Sequence, residues 1–204
     1  MLLRRCQIFV AFFGISLAAH AFQLSLKGGS TVTQHRIKFP NGDPAGGFSK
    51  GLGYSIGLGL DLGGQGLGIE TDIFYTQRSS VPITFGDDGY VYKLNAIEIP
   101  VIMRLRIAYF QVGGGFYYSN KVGVLNIDGG SSLAARDYTY DELGLEEYQV
   151  GAVAAMAGFF PTESLGTVVL EARWNQSLSN RAKFPVGKTQ FRAYSYDLLL
   201  GFAY

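Results

Sequence analysis

Apolar side chains stand at every second position through much of the chain from residue 22 to residue 204, which is the pattern of β-strands with one apolar face. The last segment is the clearest case. Its apolar face carries Tyr194, Tyr196, Leu198, Leu200, Phe202 and Tyr204. The same alternation predicts eight strands, at about residues 22–34, 49–62, 66–79, 90–104, 109–121, 148–160, 166–177 and 190–204.

The connections between the predicted strands alternate in length. Three are tight, at 63–65, 105–108 and 161–165, and four are longer, at about 35–48, 80–89, 122–147 and 178–189. Short turns on one rim and long loops on the other are typical of an up-and-down barrel, and in an outer-membrane barrel the short turns face the periplasm. The sequence therefore predicts an all-β protein, an eight-stranded antiparallel up-and-down transmembrane β-barrel.

Alternation by itself fits a soluble barrel with an apolar core as well as a membrane barrel with an apolar exterior. The polar faces favour the membrane barrel, because they are rich in Gly, Ser and Ala, which suit a narrow interior. Aromatic residues also collect near the strand ends of the apolar face, as in interfacial girdles. They are Tyr54, Tyr75, Phe110, Tyr118, Trp174, Tyr194, Phe202 and Tyr204. A secreted lipocalin-like barrel with an apolar ligand cavity is the alternative.

The predicted interior face carries charges of both signs. Buried charges are tolerable only when they are paired and hydrogen-bonded, which a closed barrel allows. This polar ladder of the lumen consists of Lys27, Asp61, Glu70, Asp72, Arg78, Glu98, Arg104, Glu171, Arg173 and Asp197. We interpret it as a structural filling of a narrow interior, with a small polar or proton-conducting pore as the alternative. A wide diffusion porin is disfavoured, because eight strands leave room only for side chains.

Composition and charge agree with a membrane barrel. The 204 residues are 48% hydrophobic and 16% charged, and 28 of them are glycine. An average soluble domain has about 25% charged residues and about 7% glycine. The formal net charge of +1 argues against nucleic acid as a partner, since phosphate binding needs a basic surplus.

Residues 1–21 are predicted to form a secretory signal peptide. Arg4 and Arg5 precede an apolar stretch at 8–19, and the small residues Ala19 and Ala21 flank a cleavage site. The stretch is too short for a transmembrane helix, which needs about twenty residues. The mature part is then one barrel domain, residues 22–204, exported to the outer membrane of a Gram-negative bacterium.

Two segments resemble the PorT/OmpX-like outer-membrane β-barrel domains of the porin family. The segment 96–104, AIEIPVIMR, is similar to the fourth strand of that family, and 111–118, QVGGGFYY, is similar to the strand that follows. The C-terminal residues resemble the signal by which the barrel-assembly machinery recognises its clients. They are Leu198, Leu200, Phe202 and Tyr204. The resemblance implies an eight-stranded outer-membrane barrel and, for the PorT-like members, a role in a secretion apparatus.

One proline interrupts the fourth predicted strand. Pro100 removes a donor from the ladder of hydrogen bonds, and by alternation it faces the lumen beside Glu98. We expect a bulge or bend there that shapes the barrel. A functional kink is the alternative.

Catalytic and metal-binding patterns are missing from the sequence. A lipid A deacylase of this class would need a His-x-Ser pair, whereas His35 is followed by Arg36 and Ile37. We expect His35 to be a solvated residue at the end of the first strand or in its loop, with a general base or ligand as the alternative. Cys6, the only cysteine, lies in the signal peptide, so a Cys-ligated metal is excluded after cleavage. We therefore predict no enzyme and no cofactor.

The predicted long loops carry opposite charges. The third loop contains six acids against Arg136: Asp128, Asp137, Asp141, Glu142, Glu146 and Glu147. Calcium binding by these oxygens is conceivable, but their spacing matches no EF-hand, so we expect a solvated acidic loop. The basic residues of the first and fourth loops are Arg36, Lys38, Arg181, Lys183 and Lys188. The acidic loop is expected to pack over the basic loops, and contact of the basic loops with lipopolysaccharide phosphates is the competing hypothesis.

The sequence thus predicts an integral outer-membrane barrel that is not an enzyme. Its expected role is in envelope integrity, surface interaction or support of a secretion apparatus. A narrow channel for small solutes or ions is the second hypothesis, and a lipid-modifying enzyme is the third. The expected partners are outer-membrane lipids, lipopolysaccharide and, during biogenesis, the barrel-assembly machinery.

Overall fold

The computed structural model describes residues 22–38, 50–80, 90–129, 136–139, 146–164, 166–179 and 190–204. Their secondary structure consists of strands and turns. The strands are β1 (Gln23–Lys38), β2 (Gly51–Leu62), β3 (Gly66–Ser80), β4 (Tyr90–Ile107), β5 (Phe110–Lys121), β6 (Leu125–Gly129), β7 (Arg136–Tyr138), β8 (Tyr148–Thr162), β9 (Gly166–Ser177) and β10 (Gln190–Ala203). Within these ranges there is no helix of the length and apolarity that a membrane span requires.

Eight of the strands close into an antiparallel barrel in the order β1-β2-β3-β4-β5-β8-β9-β10, and β10 pairs back with β1. Directly paired residues can be followed once around the barrel from Leu24 of β1. The path runs through Leu60, Thr71, Val101, Phe116, Ala152, Gln176 and Tyr194. It returns to β1 at Gln34, ten residues beyond its start, so the strands are tilted against the barrel axis. The predicted eight-stranded up-and-down barrel is confirmed.

A small hairpin extends the barrel wall on the side of the long connections. β6 pairs with the first residues of β4, from Tyr90 opposite Gly129 to Lys93 opposite Asn126, and β7 pairs with β6. The connection predicted as a long loop at about 122–147 therefore contains two short strands, which the alternation pattern did not predict. The first residues of β4 extend beyond the barrel rim, where their backbone N–H and C=O groups pair with those of β6. β1 is also longer than predicted, so the backbone of His35 belongs to the strand.

The barrel is inverted in polarity relative to a soluble protein. Inward positions include fully buried charges such as Arg104 and Glu171, whereas outward positions include Leu58 and Phe110, which are 65% and 69% exposed. Exposed apolar surface on this scale is stable only against lipid, and polar interiors are characteristic of transmembrane barrels. The lipocalin-like alternative is wrong, because charged groups occupy the interior.

Aromatic side chains form two rows on the outer surface. The row near the tight turns contains Phe22, Tyr109, Phe110, Phe160 and Tyr204. The row on the loop side contains Tyr54, Tyr75, Tyr118, Trp174 and Tyr196. Within the second row the rings of Tyr54 and Tyr75 lie 6.3 Å apart, and Tyr196 is the direct strand partner of Trp174. Two such rows with aliphatic residues between them are typical of a protein that crosses both membrane interfaces.

Pro100 lies in β4 without a bulge. Thr71 pairs with Val101 on one side of it and Phe74 with Glu98 on the other, so no residue is inserted in either strand. Of the expected bulge or bend, the bulge is therefore absent. The missing N–H of Pro100 leaves a local gap in the ladder, while its carbonyl oxygen accepts a hydrogen bond of 3.0 Å from Thr71 Oγ1.

Candidate functional site

The interior of the barrel holds the whole predicted polar ladder. All ten residues are buried, and none is more than 7% exposed. They are Lys27, Asp61, Glu70, Asp72, Arg78, Glu98, Arg104, Glu171, Arg173 and Asp197. Sequence reasoning missed Arg106 and Lys121, which also point inward. Both follow an inward residue of the same strand by two positions, so the alternation could have identified them.

Five of these residues form a central layer across the lumen: Lys27, Glu70, Asp72, Glu171 and Arg173. Lys27 Nζ lies 2.5 Å from Glu70 Oε1, 3.1 Å from Asp72 Oδ1 and 2.9 Å from Glu171 Oε2. Arg173 Nη2 lies 3.0 Å from Glu70 Oε1 and 2.5 Å from Asp72 Oδ2, and Arg173 Nε contacts Glu171. Each of the three carboxylates therefore contacts both cations.

A second group, the turn-side cluster, lies at the end of the lumen near the tight turns. Asp61 accepts hydrogen bonds from Arg104 and from Arg106 Nη2, the latter at 2.5 Å. Arg104 Nη1 also donates to the carbonyl oxygen of Gly64 at 2.8 Å, which ties the β2–β3 turn to the interior. The guanidinium of Arg106 lies 3.7 Å from the centre of the Phe159 ring, a cation–π contact.

Polar side chains fill the lumen toward the long connections. Arg78 Nη2 donates to Glu98 Oε2 at 2.7 Å, and the Ser119 hydroxyl donates to Glu98 Oε1 at 3.3 Å. Asp197 is held differently, because its hydrogen bonds come from neutral donors, the Thr31 hydroxyl and the Asn175 amide. The buried charges of the described interior balance, with six cations and six carboxylates.

Glycines on the inner faces make room for these large side chains. An added Cβ at Gly151 would clash with the Tyr117 ring, one at Gly59 with the Asp72 carboxylate, and one at Gly68 with the Arg104 guanidinium. Part of the high glycine content is thereby explained by packing inside a narrow barrel.

Two small voids lie in the described part of the lumen, one on each side of the central layer. The loop-side void is lined in part by Glu98, Arg173 and Asp197, and the turn-side void in part by Lys27 and Asp61. Each offers about 10 Å³, which is room for about one water molecule. Neither void has room for a hydrated ion.

The predicted acidic loop forms no cluster in the described residues. Asp128 and Asp137 belong to β6 and β7 by their backbones, and only Glu146 and Glu147 have described side chains. The carbonyl oxygen of Glu146 accepts a hydrogen bond from Lys121 Nζ. No group of three or more His, Cys, Asp or Glu side chains suited to a metal ion occurs in the part of the chain that the structure describes.

Several other predicted features fall outside the described residues. They are the signal peptide 1–21, the side chains of His35, Arg36 and Lys38, and Asp141, Glu142, Arg181, Lys183 and Lys188. The residues of the predicted assembly signal are described. Leu198, Leu200 and Tyr204 are exposed and Phe202 is partly exposed; three of them lie on the outer face of β10, and Tyr204 follows directly after its end.

Comparison with solved structures finds outer-membrane barrels. Ail of Yersinia pestis, crystallised with the heparin analogue sucrose octasulfate, is 11% identical over 91% of this chain and 100% of Ail, with a TM-score of 0.47. OprG of Pseudomonas aeruginosa is 11% identical over 90% of this chain and 96% of OprG, also at 0.47. Neisserial surface protein A is 11% identical over 89% of this chain and 96% of its own chain, with a TM-score of 0.48.

No protein-family model matches the sequence, and comparison with curated proteins gives no match either. The barrel assignment rests on this chain's own strand pairing and on the polarity of its two faces.

Proposed function

We propose that this chain is an integral outer-membrane β-barrel protein of a Gram-negative bacterium that is not an enzyme and that anchors its long connections at the cell surface. The observation that carries the proposal is the lumen, which is filled largely by paired charges and whose two voids beside the central layer each have room for about one water molecule. A filled lumen gives a rigid wall that leaves recognition to the connections outside the membrane.

Two terminal segments would serve export and assembly of the barrel. The predicted signal peptide directs export, and the barrel-assembly machinery recognises the C-terminal strand. The outward-facing Leu198, Leu200 and Phe202 support this use of β10, because they are available to a partner before the barrel closes. Outer-membrane lipids and lipopolysaccharide are then the partners of the apolar belt and of the basic connections.

The surface role concerns envelope integrity, adhesion or support of a secretion apparatus. The last of these rests on the resemblance of residues 96–104 to PorT-like domains. A deletion strain tests the proposal by three measurements: secretion of extracellular proteins, adhesion and detergent sensitivity. Restoration of a lost property by the wild-type gene is the expected result, and a strain unchanged in all three would contradict the surface role.

The charged connections provide a sharper test. Lys183→Glu with Lys188→Glu reverses two charges of the basic fourth loop, and in whole cells it should raise the protease sensitivity of residues 122–147 and weaken complementation. Glu163→Lys, in the exposed turn between β8 and β9, is the control at the opposite rim. Unchanged cleavage in the double variant would contradict packing of the acidic loop over the basic loops.

The absence of enzymatic activity is tested on the lipid itself. Mass spectra of lipid A from cells with and without the protein should be identical. A mass difference of one acyl chain would favour the lipid-modifying enzyme instead.

A further inference from the structure

A single layer of side chains separates the two voids of the lumen. Arg173 of the central layer lines the loop-side void, while Lys27 and Glu70 of the same layer line the turn-side void. The two voids thus border the layer from opposite sides. The central layer is therefore the barrier between the two polar ends of the described lumen.

The wall around this layer combines small residues with buried apolar ones, since Ile102 and Leu199 are the strand partners of Glu70 and Glu171. Ser25 and Ser55 line the turn-side and loop-side voids, and Gly57, Gly59 and Gly201 lie at inward positions of β2 and β10. Side chains, rather than the backbone, thus close the barrel at this level. An eight-stranded barrel has an interior just wide enough for side chains, so a narrow water-filled path remains when a few of them move.

The pairing inside the layer is redundant. Glu70, Asp72 and Glu171 each contact both Lys27 and Arg173. If Lys27 moves toward Asp61, which lines the same turn-side void, every carboxylate of the layer keeps contact with Arg173, and the Lys27 ammonium meets another carboxylate. That matters because an isolated buried charge strongly destabilises a folded protein. Redundant pairing lowers the free-energy cost of opening the layer.

We propose that the central layer is the gate of a narrow pore for small monovalent cations. The three carboxylates exceed the two cations of the layer by one charge, so the open path favours cations over anions. This activity goes beyond surface anchoring and is tested separately from it. Conduction is measured on the purified barrel, whereas the surface role is measured on the deletion strain.

Planar-bilayer recordings test the gate with the double variant Lys27→Ser, Glu70→Ser. It removes one cation and one carboxylate, so the net charge is unchanged and the lumen gains space. The mean current in KCl should rise at least about tenfold over wild type, with a reversal potential that shows preference for K⁺ over Cl⁻. The wild-type barrel should show brief openings with the same ion preference.

The matched control is Arg78→Ser with Glu98→Ser. It removes a buried lumen pair of similar size, joined by a 2.7 Å contact, but leaves the central layer intact, so its current should stay at the wild-type level. Heat-modifiable gel mobility verifies folding of each variant. Glu171→Ser with Arg173→Ser opens the same layer and is used if the first variant does not fold.

Three outcomes would overturn the proposal. They are folded central-layer variants that do not conduct, a control pair that conducts as well as the central-layer variant, and a wild-type barrel that never opens. Anion preference of the open state would also overturn it, because the charge of the layer would then not determine selectivity.

Discussion

Arg173 of β9 reaches across the lumen to Asp72 of β3, where its Nη2 lies 2.5 Å from the carboxylate Oδ2. β9 and β3 are four strands apart in both directions around the eight-stranded barrel, so this contact spans its diameter. A salt bridge between opposite walls fixes the cross-section of the barrel, which neighbouring-strand hydrogen bonds alone do not do.

The first prediction concerns this brace. Arg173→Met removes one cation from the central layer and leaves three carboxylates with Lys27 alone. Lys27 still contacts all three carboxylates, but the layer gains one uncompensated negative charge. Because an uncompensated buried charge costs about 3–5 kcal/mol, the free energy of unfolding should fall by that amount. Urea unfolding in lipid or detergent, followed by fluorescence of the single tryptophan Trp174, measures it. Arg192→Met, at a half-buried position near the start of β10, is the control, and equal stability of both variants would contradict the brace.

The second prediction concerns the inward glycines. Gly151→Ala places a methyl group where the Tyr117 ring lies, and overpacking of this kind costs about 1–3 kcal/mol. Gly114→Ala on neighbouring β5 is the matched control, because its Cβ would meet only the carbonyl oxygen of Val153 at 3.6 Å. The difference in urea midpoint between the two variants reports the packing of the lumen, and a Gly151→Ala barrel as stable as Gly114→Ala would refute it.

The third prediction concerns the tight turn between β4 and β5. Ala108 has a φ of 51°, a region that an L-residue with a Cβ occupies at a cost of about 1–2 kcal/mol. Ala108→Gly should therefore raise the free energy of unfolding by about 1 kcal/mol, despite the greater freedom of the unfolded chain. Tyr109→Gly is the contrast. Tyr109 has no positive φ, so its replacement should destabilise the barrel, and a loss of stability in Ala108→Gly would contradict strain at the turn.

The fourth prediction concerns depth in the membrane. Leu58 lies in the middle of β2 and Leu52 at its loop-side end, and both are exposed on the outer face, at 65% and 72%. Leu58→Arg should destabilise the barrel by about 2–4 kcal/mol in lipid, and Leu52→Arg by about 0–1 kcal/mol, because the cost of a lipid-facing cation falls toward the interface. Unfolding in lipid vesicles measures both. Equal effects would show that β2 does not cross the membrane in this orientation.

The sequence by itself determined the barrel wall. Strand periodicity is a local property, so Leu52 to Leu62 and Tyr194 to Tyr204 could be assigned an outer and an inner face without knowledge of their neighbours. For the same reason ten interior charges were identified by position, and the number of barrel strands was correct. Two local features differ from the expectations: no bulge occurs at Pro100, and the long connection before β8 contains β6 and β7. Both features depend on pairing with a neighbouring strand, which the local pattern does not report.

Only the tertiary structure decided which interior charges meet. Arg173 and Asp72 are 101 residues apart, and Lys27 and Glu70 are 43 apart. Their contact depends on the closure of β1 on β10 and on the ten-residue shift around the barrel, which set the height of every side chain in the lumen. The alternation along a strand shows whether a side chain faces inward or outward. It does not show the level of that side chain along the barrel axis or which side chains face it from the opposite wall. The redundant pairing of the central layer, and with it the proposed gate, therefore exists only in the closed barrel.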